Sequence, residues 1–207
     1  MVWASANWAG LLLLSYMIGS FPTAYMLGRI TKGVDIRRLG SGNAGAANAY
    51  NQLGPKVGIA VWAVDCGKGA AALALIGALS GSTVAQMLAG VAVIAGHNWP
   101  FFLRFRGGEG ASATMGVLAM LMPMAAIPLS VFSLIPLAIT RSSTVALCFV
   151  FAPLSLVAWL TGASLSMIGY SMGLPVLVGI SHWVSMKRPA LAEEGETASQ
   201  SGEAGAP

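Results

Sequence analysis

The chain has 207 residues, of which 56% are hydrophobic and only 9% charged, with a formal net charge of +4 and a mean hydropathy of +0.75. Soluble domains carry about 25% charged residues, so this composition excludes an ordinary soluble globular protein, and the length suits a single domain. A pI of about 9.4 does not mark a nucleic-acid binder, because the Lys and Arg residues are spread between apolar runs instead of forming one basic face.

In chain order, apolar stretches long enough to cross a bilayer, about 20 residues, run near 8–27, 57–79, 83–103, 145–160 and 164–184. Trp8, Trp99, Trp159 and Trp183 fall near their ends, where interfacial aromatics belong. No charge precedes Arg29, so the first stretch is expected to be a retained span, not a cleaved signal peptide. Arg29, Lys32, Arg37, Arg38, Lys56, Arg104, Arg106, Arg141, Lys187 and Arg188 all lie between or after these stretches, whereas 1–7, 80–82 and 161–163 carry no charge. The positive-inside rule therefore predicts an outside N-terminus, cytoplasmic basic loops and a cytoplasmic C-terminus.

The stretch 112–139 conflicts with simple alternation. It starts after Arg104 and Arg106 and ends before Arg141, and one crossing would send Arg141, Lys187 and Arg188 outside. Pro123, Pro128 and Pro136 interrupt it, so the reading is two short helices, or a re-entrant hairpin, that begin and finish on the cytoplasmic side. The expected fold is all-α: a polytopic membrane protein of about seven transmembrane or partly re-entrant helices. It forms one domain over 1–189. The tail 190–207, with Glu193, Glu194, Glu196 and Glu203 among small residues, is expected to be a disordered cytoplasmic end.

Polar chemistry concentrates in the cytoplasmic loops. The first glycine-rich run, Gly40-Ser41-Gly42-Asn43-Ala44-Gly45 and on to Asn48, follows Arg37 and Arg38. Glycines let consecutive N–H groups turn inward as an anion nest, to which Ser41, Asn43 and Asn48 add polar side chains. The alternative is a flexible turn that caps the next helix. The second run joins His97, Arg104 and Arg106 to Gly107-Gly108-Glu109-Gly110. A histidine, two arginines and three glycines before a helix also describe an anion site, with His97 able to exchange a proton near neutral pH. The alternative there is a solvated interfacial histidine. His182, Lys187 and Arg188 form a third group, which also reads as anchoring charge. Asp65 and Lys68, three residues apart on one helix face, read as a mutually neutralising pair. With two histidines, no close carboxylate pair and no Cys–His cluster, neither metal nor cofactor is implied; Cys66 and Cys148 read as small apolar residues.

The two glycine runs, at this spacing, resemble the bacterial membrane acyl-phosphate:glycerol-3-phosphate acyltransferases. The likeness begins at Gly19-Ser20-Phe21-Pro22 and continues through 35–45, through Asp65 with Lys68 and Gly69, and through Gly96-His97 with 105–110. It ends with the hydroxyl residues after Arg141 and with His182, covering nearly the whole chain. The resemblance implies an all-helical membrane enzyme of the cell inner membrane, its active site facing the cytoplasm. Such an enzyme transfers a fatty acyl group from acyl phosphate to the 1-hydroxyl of glycerol 3-phosphate. Lysophosphatidic acid and phosphate result, a first step of phospholipid synthesis that uses no acyl-CoA and forms no acyl-enzyme. It further implies Ser41, His97 and His182 as catalytic residues. Arg37, Gly40, Gly42, Asn43, Gly45, Asn48, Arg106, Gly107, Gly108, Glu109, Gly110, Thr144 and Arg188 would bind substrate.

Some positions depart from the family pattern. Glu109 stands where the second glycine motif usually has lysine, Ala47 replaces a threonine and Asn51 an arginine, and Ser181 and Ser185 replace the arginine and asparagine that flank His182. At roughly 1.5–3 kcal/mol per charged contact, such losses weaken phosphate binding by several kcal/mol. Pairing of Glu109 with Arg104 or Arg106 is one way to relieve the repulsion; a different acceptor is another. A diverged member with another acceptor or no catalysis, and a small anion transporter or channel, are the alternative functions.

Overall fold

The structure, a computed structural model, describes residues 8–187. Arg188 and the tail expected over 190–207 lie outside the described residues. Among those described there is no strand, and the helices are α1 (Trp8–Gly19), α2 (Thr23–Lys32), α3 (Ala46–Leu53), α4 (Pro55–Ser80), α5 (Thr83–Asn98), α6 (Ala111–Leu121), α7 (Pro123–Phe132), α8 (Leu134–Thr140), α9 (Ser143–Leu160) and α10 (Leu165–Met186). Single 3₁₀ turns occupy Ile36–Arg38 and Phe101–Leu103. Five helical stretches are long and apolar enough to cross a bilayer: Trp8–Lys32, Pro55–Ser80, Pro123–Thr140, Ser143–Leu160 and Leu165–Met186. The chain is an all-helical polytopic membrane protein.

Local chemistry sets the boundaries. Ser82, Ser142 and Ser164 cap α5, α9 and α10 by accepting from the amides of Ala85, Val145 and Met167. Gly81, in the left-handed region at φ 62°, ends α4. Among the described residues there are ten α-helices against about seven expected, because two predicted segments are further broken and α3 is additional. The first stretch, expected to be continuous, breaks at Ser20–Pro22, where Pro22 supplies no amide donor. The segment 112–139 forms three helices, since Pro123 starts α7 and Pro136 lies in α8.

Helix directions resolve the charge conflict. Asn98 Nδ2 donates to Ser181 Oγ (2.6 Å), and Tyr170 Oη donates to the carbonyl of Met87 (2.8 Å). Both pairs are 83 residues apart, so α5 and α10 run parallel in fixed register. α9 returns against α10, with the Ser155 and Ser171 hydroxyls 2.9 Å apart. α6 runs opposite to α5, since Gly110 lies against Asn98 and Ile94 while Val117 lies near Gly90. The segment Ala111–Thr140 therefore leaves one end of the bundle and returns to it, as the charges require. α6, with 11 residues, extends about 16 Å, about half the hydrocarbon thickness.

The core of α4, α5 and α6 is built from small and branched residues: Ala72, Leu73, Val93, Ile94, Ala113 and Val117 are all fully buried. Glycine lets the backbones meet. A Cβ on Gly19 would strike the backbone of Val93, and one on Gly116 would strike the carbonyl of Cys66. In lipid, where apolar contact alone gives helices little reason to associate, this close approach holds the bundle together.

Candidate functional site

The end of the bundle that carries the basic loops also gathers the glycine runs. In the first run, Gly40 and Gly42 sit at φ 56° and 70°, a region costly for other residues. Asn48, buried on α3, holds the run in shape. Its Nδ2 donates to the carbonyls of Ile36, Leu39 and Asn43 at 3.2, 3.0 and 2.9 Å, and its Oδ1 accepts from the amide of Ser41 at 3.3 Å. The amide of Gly42 donates to Leu39 and that of Ala44 to the carbonyl of Gly107. Among the described residues the amides of Gly40, Asn43 and Gly45 take no part in these hydrogen bonds, and the first turn of α3 has no side-chain cap. The Ser41 side chain is exposed beside them.

Arg37 is committed elsewhere. Its guanidinium donates to both Asp35 oxygens (3.0 and 2.8 Å) and to the carbonyl of Leu103 (3.1 Å), and it stacks 5.2 Å from the Tyr25 ring centroid. Burial pushes the Asp35 carboxyl up, but hydrogen bonds and charge from Arg37, with Arg29 nearby, outweigh it and hold the group below its ordinary value.

The second run folds back on the end of α5. The amides of Gly107 and Gly108 donate to the carbonyls of Asn98 (3.2 Å) and His97 (3.1 Å), which a helix end leaves without partners. Arg104 and Phe105, at φ 53° and 61°, make the reversal. Gly107 and Gly108 have no room for a side chain: a Cβ on the first would meet the carbonyl of His97, and one on the second its ring.

A cavity opens where the two runs meet, lined by Ala44, Gly107, Gly108 and His97 together with Phe21, Pro22, Thr23, Asp65, Lys68, Pro100 and Leu103. Asp65, only 1% exposed, accepts from Thr23 Oγ1 at 2.8 Å and pairs with Lys68 Nζ at 2.9 Å through the same oxygen, Oδ1. His97 Nδ1 lies 3.7 Å from that oxygen. Asp65 Oδ2 is buried without a partner among the described residues. Lys68 also donates to the carbonyl of Phe21 (3.1 Å), in the break between α1 and α2.

Beside the cavity, His182 Nδ1 lies 2.8 Å from Glu109 Oε2, with side chains 40% and 25% exposed. The partner of Glu109 is thus a histidine, where the sequence pointed to Arg104 or Arg106. Asn98, next to His97, bonds Ser181, next to His182, so one clamp sets both histidines on either side of the second run. Gly110 starts α6 at φ 84°. Arg106 is half-buried in the loop.

The structure thus brings the 40–48 segment, His97, Arg106, the 107–110 segment and His182 to one end. Thr144 sits exposed in the first turn of α9 and lines neither the cavity nor the Glu109–His182 pair. Sequence reasoning assigned Asp65 and Lys68 to mutual neutralisation and did not single out Thr23. Two ionisable groups in an apolar span were the available signal for the first two; nothing in the sequence marks Thr23.

Comparison with known proteins gives the chain a family. The family model described as glycerol-3-phosphate acyltransferase matches residues 9–191. Glycerol-3-phosphate acyltransferase 4 of Dehalococcoides mccartyi is 38% identical over 86% of this chain and 97% of its own. The enzyme of Desulforudis audaxviator is 36% identical over 84% and 88%. The crystal structure of PlsY, an integral membrane glycerol 3-phosphate acyltransferase, in its glycerol 3-phosphate form superposes with a TM-score of 0.78 at 26% identity, covering 88% of this chain and 92% of that one. The family model alone spans most of the chain, and these relatives align over most of their own length. The chain belongs to the glycerol-3-phosphate acyltransferase family.

Proposed function

We propose that this protein is a glycerol-3-phosphate acyltransferase that takes its acyl group from acyl phosphate and releases lysophosphatidic acid at the cytoplasmic face. The observation that carries the reading is the joining of the two glycine runs, through Ala44 and Gly107, around a cavity walled by Lys68 and His97. Acyl phosphate is an activated mixed anhydride, so the protein has chiefly to align two anionic substrates and offset their charge. The amides of Gly40, Asn43 and Gly45, the first turn of α3 and Arg106 supply donors and positive potential for phosphate. Lys68 adds a buried cation to the cavity wall, and His97 and His182 are the groups able to exchange protons.

Position in the membrane follows the charge distribution. The end that holds the site also holds Arg37, Arg38, Arg104, Arg106, Arg141 and Lys187, and by the positive-inside rule this supports a cytoplasmic site with the N-terminus outside. A transporter would need polar groups on both halves of its path, and the ionisable side chains described above gather at this end.

The donor is tested by supplying purified protein in lipid with glycerol 3-phosphate and, separately, acyl phosphate, acyl-CoA or acyl-carrier protein. Product with acyl phosphate alone is expected; efficient use of a thioester would replace the donor assignment. A second reading, a member with an uncharged acceptor, is favoured by one observation: Glu109 places a carboxylate where the resemblance calls for a cation.

A further inference from the structure

The turn that follows α5 presents an apolar cluster outward. Phe101, Phe102 and Phe105 are 62%, 56% and 53% exposed. Phe101 packs edge to face with both of the others, with 5.9 and 6.4 Å between ring centroids. We propose that this turn is a lipid anchor: the three rings enter the acyl boundary of the leaflet at the basic end, and Arg104 binds an anionic lipid headgroup above them.

The length of α5 sets the depth. It has 16 residues and extends about 24 Å, short of the roughly 30 Å of hydrocarbon. The turn after it therefore starts at the membrane boundary and not out in water. Arg104, exposed between the rings, keeps the turn from sinking further, because a charge stays out of hydrocarbon. Apolar rings below and a guanidinium at headgroup level match the two layers of an interface.

The cluster is held ready. Leu103, 4% exposed, packs into the core with Ile36, Leu53 and Val61. The amides of Arg104, Phe105 and Arg106 donate to the carbonyls of Phe101, Pro100 and Leu103 at 3.2, 3.0 and 3.2 Å. A turn ordered in advance loses little freedom on meeting lipid. Charge selects the lipid. Arg29, Lys32, Arg38 and Lys56 are exposed at the same end. Among the described residues the acidic groups are Asp35, Asp65 and Glu109, and each is paired with a basic side chain. This end therefore attracts anionic lipid. The contact also reaches the cavity, because Pro100 and Leu103 of the same turn wall it and the Leu103 carbonyl accepts from Arg37.

Photo-crosslinking tests this in nanodiscs of equal parts phosphatidylglycerol and phosphatidylcholine. The probe is p-benzoylphenylalanine at position 102, where the exposed ring leaves room for it. Mass spectrometry should find lipid adducts, with phosphatidylglycerol favoured about fivefold, the ~1 kcal/mol that one basic residue gains near an anionic surface. Arg104→Gln should keep the adducts and bring the ratio down toward one. Crosslinks to protein alone, within the chain or to a second copy, would overturn the anchor. A ratio of one with Arg104 in place would overturn the headgroup assignment. Loss of the adducts on adding acyl phosphate would also overturn the proposal, since the surface would then belong to that donor. None of these readouts requires acyl transfer, so the anchor is decided even if the functional reading fails.

Discussion

The two glycine runs look alike in composition and work differently in the fold. In 40–45, the amides of Ser41, Gly42 and Ala44 are consumed by Asn48, Leu39 and Gly107, and the loop is first of all a scaffold. In 107–110, the glycines fit closely against His97 and carry a side chain, Glu109, to His182. A run of glycines therefore does not by itself make an anion nest. What decides is which amides remain after the loop has satisfied its own backbone, and how closely the neighbours approach.

That contrast can be broken experimentally. The largest effect is expected from Gly108→Ala, whose Cβ would fall on the buried His97 ring. Displacing a reacting group by about an ångström costs on the order of 100-fold in kcat, and a kcat close to that of the unmodified protein would show that His97 is not held there for catalysis. Next comes Asn48→Ala. It removes one partner from three carbonyls and one amide; the Ile36 and Leu39 carbonyls keep the amides of Leu39 and Gly42. With about 1–3 kcal/mol for a buried polar group left unsatisfied, the loss at the Asn43 carbonyl and the Ser41 amide should lower the thermal midpoint clearly. An unaltered midpoint with only a KM change would mean that Asn48 serves the substrate instead.

Gly42→Ala is smaller and of a different kind. The left-handed backbone at φ 70° costs alanine about 1 kcal/mol, so the expected result is a several-fold rise in KM for glycerol 3-phosphate with little loss of folding. Equal KM values in a folded variant would make the first run scaffold alone. Smallest is Asp35→Asn, behind the same loop. The folded-state pKa of Asp35 lies below its ordinary value, so its stabilising contribution is fully present above about pH 4, the unfolded carboxylate range, and fades as pH falls through the folded pKa. The variant should be modestly less stable at neutral pH and should lose the difference under acid; a gap that persists at low pH would point to packing.

Much of this was legible in the sequence because lipid imposes few solutions. Apolar runs, interfacial Trp residues and the one-sided placement of Arg and Lys give the spans, and the mismatch at Arg141 already demanded that 112–139 return to its starting end. The breaks were less readable. Pro22 interrupts a stretch whose hydropathy is continuous, and Pro153 and Pro175 sit inside α9 and α10 without ending them, so proline alone does not locate a break. In the site, residue types told which groups could bind phosphate but not which were already occupied. Arg37 is bound to Asp35 and Asn48 to its own loop, both through contacts across turns that spacing does not reveal. The Glu109–His182 pair joins residues 73 positions apart, and only the register of α10 on α5 brings them together.

The most direct test of the central claim is the rate of acyl transfer from acyl phosphate to glycerol 3-phosphate, measured beside the same reaction with glycerol. If the first glycine run and Arg106 bind the acceptor phosphate as proposed, removing it discards contacts each worth about 1.5–3 kcal/mol when charged. The account predicts that glycerol 3-phosphate is preferred in kcat/KM by at least about tenfold, one such contact. Equal or faster turnover of glycerol would contradict it and would make Glu109 the mark of a changed acceptor.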